Sequence, residues 1–374
     1  MHEQEKVYQL ALSLIKGIGF NTWKRIIEKF KTAQAIFQAS KTLLTGNLPG
    51  IPLSIIQAIL AKDTLSVAEK IVGTHQKNGI QVLSFFDESY PLRLKHIATP
   101  PSFLFWQGNM NFSMSKVISI VGTRKATTYG KSFIEKFIAD LRAYDDILVV
   151  SGLAYGIDIH VHKMCLCYGL PTIGVLAGGL DKIYPAVHKK AAIEMLAHGG
   201  LVSEIPIGST LETFQFPQRN RIIAGLADAT IVVEADYKSG AVITANFAND
   251  YNREVFAVPG NIDATYSAGC NYLIRTQQAH LLTNVEDLAY IMNWQKSSWQ
   301  NKPILFEDKS FTELSQEEQR IVQILKNSQK EVYIDEISQQ IQLFPSQVSS
   351  ILLQLELKNI VECLPGNKFK LVAF

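Results

Sequence analysis

The sequence predicts a doubly wound α/β domain built on a parallel sheet, with a small helical domain before it and a winged helix after it. Three observations lead there. From 80 to 292, short β-rich runs alternate with amphipathic segments of helical length, the pattern of strands joined by crossover helices. Most of these runs end in glycine-rich turns, which suit the tight entry into a crossover helix. On both flanks the apolar spacing becomes purely helical, and at the carboxyl end it resolves into a hairpin.

Residues 1–75 carry apolar side chains at helical spacing, first in Val7, Tyr8, Leu10, Ala11 and Leu14, then in Ile26, Ile27 and Phe30. Between them lies Ile15-Lys16-Gly17-Ile18-Gly19-Phe20, which resembles the turn of a helix-hairpin-helix and would offer backbone amides to a phosphate. Leu48-Pro49-Gly50-Ile51-Pro52 is a weaker copy. A helical, SAM-like domain whose glycines only make tight turns explains the same residues equally well.

In the central domain the predicted strands include 117–121, 147–150, 172–176, 231–234 and 255–258. Phe133, Ile134, Phe137, Ile138 and Leu141 mark the buried face of one crossover helix. A polar stretch, 293–312, reads as a linker. The tail, 313–374, then predicts helices at 315–326, 334–341 and 345–358 and a hairpin over 361–371 turning at Pro365-Gly366-Asn367, the order of a winged helix.

Composition narrows the classes. With 47% hydrophobic and 19% charged residues the chain is globular, no apolar run approaches the roughly 18 residues of a membrane span, and the amino terminus has no signal-peptide pattern. A cytoplasmic protein without membrane partners is expected. The four cysteines, Cys165, Cys167, Cys270 and Cys363, match no zinc or redox spacing, so neither metal nor cofactor is expected. A net charge of +2 is too small to hold nucleic acid by bulk attraction, so an anion site must be a local cluster.

In a doubly wound sheet ligands bind off the carboxyl ends of the strands. There the first strand runs into Gly122-Thr123-Arg124, followed by Tyr129-Gly130 at a helix start that would offer free amides. The second ends in Ser151-Gly152-Leu153-Ala154-Tyr155-Gly156-Ile157-Asp158, and the third in Ala177-Gly178-Gly179-Leu180. Arg219-Asn220-Arg221 opens a further helix with no acid in its first turn, so at least one arginine is expected to be free for a ligand. Ser239-Gly240 suits another amide-donating turn. Tyr155 and Tyr237 are expected to stack on bases, and Phe214 and Phe216 to pack in the core.

These segments, with Ile183-Tyr184-Pro185, Phe216-Pro217-Gln218-Arg219-Asn220-Arg221-Ile222-Ile223-Ala224-Gly225, Val255-Phe256-Ala257-Val258-Pro259-Gly260 and Gly269-Cys270-Asn271-Tyr272-Leu273-Ile274, resemble the DprA (Smf) family of DNA-processing proteins over about residues 85–285. The resemblance implies an extended Rossmann-like fold, single-stranded DNA binding, a homodimer through that domain, and loading of the RecA recombinase in natural transformation. Carried onto this chain, the DNA-binding residues are Gly122, Thr123, Arg124, Ser151, Gly152, Gly156, Arg219, Asn220, Arg221, Ser239 and Gly240, with Arg124 and Arg219 neutralising phosphates. Ala227, Ala241 and Asn252 depart from the family's usual serine, serine and glycine.

The competing reading is a nucleotide-processing enzyme of the phosphoribohydrolase kind. Ala177-Gly178-Gly179-Leu180-Asp181 lacks the glutamate-bearing continuation those enzymes carry, and Glu204 and Glu234 have no His, Cys or metal-ligand partner nearby in sequence, so no enzyme is expected. His162 and His188 read as structural. The tail's candidate recognition helix has Lys358 as its sole cation, which points it toward protein rather than duplex DNA.

Overall fold

The computed structural model describes residues 3–109, 112–296, 314–328, 331–357, 360–364 and 368–371. It divides near residue 298 into two compact units. The predicted linker lies outside the described residues from 297 onward, as do Lys358 and the Pro365-Gly366-Asn367 turn.

The first unit is organised by a nine-stranded sheet: β1 (Gln81–Ser84), β2 (Phe103–Gly108), β3 (Lys116–Gly122), β4 (Ile147–Ser151), β5 (Thr172–Leu176), β6 (Gly199–Ser203), β7 (Ala229–Val233), β8 (Glu254–Ala257) and β9 (His280–Leu281). Their order in space is β1-β2-β6-β5-β4-β3-β7-β8-β9. The seven strands from β6 to β9 run parallel, and β1 and β2 extend the sheet antiparallel. Every residue of β4, β5, β6 and β7 is buried, as a sheet covered by helices on both faces requires.

The chain winds outward from β3 through β4 and β5 to β6, then crosses back and enters β7 on the other side of β3. That reversal leaves a crevice at the carboxyl ends of β3 and β7, where a doubly wound sheet takes its ligand. All five predicted strands are present within two residues of their expected ends. By contrast, β6 begins Gly199-Gly200, a poor strand signal. Its glycines are there for closeness: a Cβ on Gly199 would strike the Thr172 carbonyl, and one on Gly200 the Trp106 ring.

The helical front comprises Glu3–Ser13, Phe20–Phe30, Ala33–Gln38, Lys41–Asn47, Leu53–Ala61 and Asp63–Lys77. Trp23 is completely buried at its centre and donates its indole N–H to Gln9 O (2.8 Å). The front's hydrophobic residues are continuous with those of β1 and β2 in one core. Lys6 pairs with Asp87 (2.9 Å), and Ile207 N donates to His75 Nε2 (3.1 Å), so the front is fastened to the sheet by polar contacts as well.

In the second unit the helices Gln316–Ser328, Ile334–Ile341 and Pro345–Leu357 pack on a three-stranded sheet of Val332–Tyr333, Lys368–Leu371 and Val361–Leu364. Ile321, Ile337, Val348, Leu352 and Leu355 are buried in a core of their own. This is the winged helix the tail's pattern predicts.

Candidate nucleic-acid interface

The crevice at the switch point holds a cavity of about 400 Å³. Gly122, Thr123 and Arg124 enter it from the end of β3, Ala154 and Asp158 from the segment after β4, Phe216, Arg219 and Asn220 from the helix Gln215–Leu226, and Ser239 to Ala241 from the start of the helix Gly240–Asp250. Seven of the eleven residues expected at a DNA site therefore line one cavity. Ser151, Gly152, Gly156 and Arg221 do not.

Arg124 is the exposed cation of the group. No carboxylate pairs with it among the described residues, and its guanidinium carbon lies 5.7 Å from the centre of the Phe216 ring. Beside it, Ser239 caps the helix Gly240–Asp250 by accepting from Val242 N (3.4 Å). The N–H groups of Gly240 and Ala241 have no acceptor among the described residues, so this helix start faces the cavity with two free donors and its positive dipole end.

The other helix start expected to be open is filled. Glu234, buried and in the left-handed backbone region (φ 56°), accepts from Thr127 N (2.9 Å) and from the Thr127 hydroxyl, and its carboxylate sits against Gly130 at the entry to the helix Thr128–Leu141. That helix therefore offers no anion site at Tyr129-Gly130. Its dipole is met from within by a carboxylate that arrives from the end of β7.

Arg219 lies deeper than expected for a phosphate ligand. It is buried, it donates through Nη1 to Val175 O, and its Nε donates to Asn220 Oδ1 (3.2 Å). Asp158 is buried alongside. Burial pushes the Asp158 carboxyl up, against the opposing pull of Arg219. Burial also lowers Arg219 to about 10, against the raising influence of Asp158, so it is still cationic at neutral pH. Arg219 thus keeps its positive charge at the cavity floor, beside the Asp158 carboxyl. Asn220, expected to touch a phosphate or base, braces the walls instead: its Nδ2 donates to Gly240 O (3.1 Å).

Arg221, the arginine expected to share the ligand, forms a two-oxygen ion pair with Glu204 through Nη2 (2.6 Å to Oε1) and donates to Thr99 O (2.8 Å). The acid comes from the end of β6, 17 residues earlier in the chain, which is why helix-local spacing missed it. Ser151 donates to Ile120 O (2.6 Å), tying β4 to β3. Gly152 leaves room for Asp158 and Arg219, since a Cβ there would strike both. At Gly156 the backbone is left-handed (φ 77°) and a Cβ would meet the carbonyls of Thr123 and Arg124. These three shape the cavity without lining it.

Two aromatic expectations are corrected. Phe216 lines the cavity and Phe214 is exposed, so neither is a core residue. Tyr184, not singled out beforehand as a stacking ring, is exposed and meets Phe216 edge-on (5.7 Å between ring centres), and Tyr155 stands exposed nearby on the rim of the adjoining pocket. His162 and His188 are structural, as expected: His162 is enclosed between Thr172 and Gly152 O, and His188 Nδ1 bonds Leu153 O (2.8 Å). No helix among the described residues is long and apolar enough to cross a membrane.

Comparison with known proteins agrees with this architecture. The family model described as DNA recombination-mediator protein A matches residues 81–293, and one described as the DprA winged helix domain matches 308–367. Protein Smf of Synechocystis is 36% identical over 293 residues, covering 77% of this chain and 73% of that protein. Protein Smf of Escherichia coli is 32% identical over 330 residues, covering 86% and 85%. Among solved structures, DNA processing protein A of Streptococcus pneumoniae aligns at TM-score 0.64 and 28% identity, over 79% of this chain and 99% of that one. The Helicobacter pylori protein, whose structure is described as showing a single-stranded DNA binding mode, aligns at 0.52 and 28% over 58% and 97%.

Proposed function

Because the chain belongs to the DprA (Smf) family of DNA-processing proteins, we propose that it binds single-stranded DNA in the switch-point cavity and delivers it to the RecA recombinase, as a homodimer and without catalysing a reaction itself. The observation that carries the reading is the cavity's charge: Arg124, unpaired and exposed, stands with the open Gly240 helix start above the buried cation of Arg219. A phosphate there gains a charge-assisted bond and two amide donors. Phe216, Tyr184 and Tyr155 supply ring faces around the rim for unpaired bases.

Non-catalytic action is supported by what the two acids weighed for catalysis, Glu234 and Glu204, do. Glu234 is spent on Thr127 and Glu204 on Arg221, leaving neither as a free acid or base. The recombinase partner rests on the family's description as a recombination mediator and on the sequence resemblance.

Titration of labelled oligo-dT at several salt concentrations tests the site. Arg124→Ala is expected to weaken binding about tenfold or more, ~1.4 kcal/mol, and to reduce the salt slope by about 1. Arg221→Ala, held away from the cavity by Glu204, serves as the control and should leave affinity unchanged. Equal effects from the two substitutions would place the strand elsewhere.

A further inference from the structure

The helical front is more cationic than the rest of the chain. From Ser13 to Lys62 it carries Lys16, Lys24, Arg25, Lys29, Lys31, Lys41 and Lys62 against one acid, Glu28, in a protein whose whole net charge is +2. All but Lys24 of these cations are exposed, and among the described residues Lys24 alone has an acidic partner, at 3.8 Å. Arg25 and Lys29 stand one turn apart on the face that Asn21 begins, and Lys16 lies in the turn before this helix.

We propose that this front is a second nucleic-acid surface that grips the phosphate backbone of duplex DNA. Its two glycine turns fit that use. Gly17 is left-handed (φ 92°) and lies against the second turn's helix, its Cβ position 3.6 Å from Ile55 Cδ1. The helices that follow, Phe20–Phe30 and Leu53–Ala61, have no side-chain cap. The N–H groups of Phe20, Asn21 and Thr22, and of Leu53 and Ser54, have no acceptor among the described residues. Neighbouring Ala33–Gln38 shows the contrast, because Glu5 fills its start by accepting from Ala33 N and Gln34 N. The open donors of Phe20 to Thr22 thus begin the helix that carries Arg25 and Lys29, so that a phosphate backbone laid along it would meet amides and cations in turn.

The surface suits a duplex rather than a single strand. The large hydrophobic side chains it exposes among the described residues are Leu14, Leu43, Leu53 and Val67, with no aromatic ring among them, whereas single-strand grooves rely on rings to stack bases. It is also separate from the cavity. The front packs on β1, and five strand steps from β1 to β3 span about 24 Å. One molecule can then hold a single strand and a duplex together.

The test is anisotropy of a labelled 20-base-pair duplex on the full chain at low salt, with the cavity saturated by unlabelled oligo-dT. The Lys16→Ala, Arg25→Ala, Lys29→Ala triple variant is expected to lose at least tenfold in duplex affinity and to lower the salt slope by about 2 to 3, while binding oligo-dT as the parent does. Arg124→Ala should show the reverse. A matched Lys16→Arg, Arg25→Lys, Lys29→Arg variant, which keeps the charges, should restore duplex affinity and so separate charge from fold. The proposal is overturned if the parent does not bind duplex, if oligo-dT displaces it, or if the triple variant binds it unchanged. Failure of the cavity reading instead shows as oligo-dT affinity insensitive to Arg124→Ala.

Discussion

His162 sits in the helix Ile157–Tyr168 with no exposure, one ring nitrogen against Gly152 O and the other against the Thr172 hydroxyl. Burial holds its imidazole down at about 4, with Arg219 and His188 pushing the same way and the Gly152 bond opposing. In the unfolded chain it titrates near 6.5, so acid delivers a proton to the unfolded state that the folded state refuses. The associated stability is complete above about pH 6.5 and drains away as pH falls toward 4, a loss on the order of 3 kcal/mol. Urea midpoints at pH 7 and pH 4.5 are therefore expected to differ by less in His162→Gln than in the parent, because glutamine has nothing to titrate. Equal drops in both proteins would show that His162 carries no such burden. The proton balance acts close to the site, since Gly152 stands against both Asp158 and Arg219.

Helix starts are the elements on which the site is decided, and the chain treats them in two ways. Glu234 fills the start of Thr128–Leu141 and Glu5 that of Ala33–Gln38, while Gly240–Asp250 and Phe20–Phe30 are left with free amides. Filling the first has a purpose for the second: Glu234 pins Thr127 and with it the loop that carries Arg124. Glu234→Ala is expected to cost about 1–2 kcal/mol and to speed amide exchange from 123 to 130. Unchanged exchange there would mean the loop is held by other contacts. The strands and crossover helices were legible because burial imposes period on neighbours in sequence, and the strand-end glycines were legible because few other residues fit those turns. Glu234 and Thr127 are 107 residues apart and meet only after β7 returns beside β3, so no local pattern announces the pair. The pairing of Arg221 with Glu204 is likewise remote in sequence, and the burial of Arg219 is invisible there because sequence shows charge and not depth.

At the scale of the whole sheet, the two edges differ. Lys6 closes the β1 edge by donating to Val82 O (3.0 Å) while Asp87 accepts from Ser84 N (2.9 Å), which removes the backbone groups that would recruit another strand. The β9 edge is two residues long with Leu281 exposed on it, and the helix Val285–Met292 that follows exposes Tyr290 and Ile291. The proposed homodimer is therefore assigned to the β9 side. A pair related there by a twofold axis would carry two switch-point cavities, so a strand long enough to reach both binds by linked contacts that a short one cannot make. Leu281→Asp is expected to sediment as a monomer at micromolar concentration where the parent is a dimer. Its affinity for a six-nucleotide oligo-dT should match the parent's, and its affinity for a long oligo-dT should fall about a hundredfold. A parent that is monomeric at these concentrations removes the dimer. A dimer that survives Leu281→Asp moves the interface away from β9.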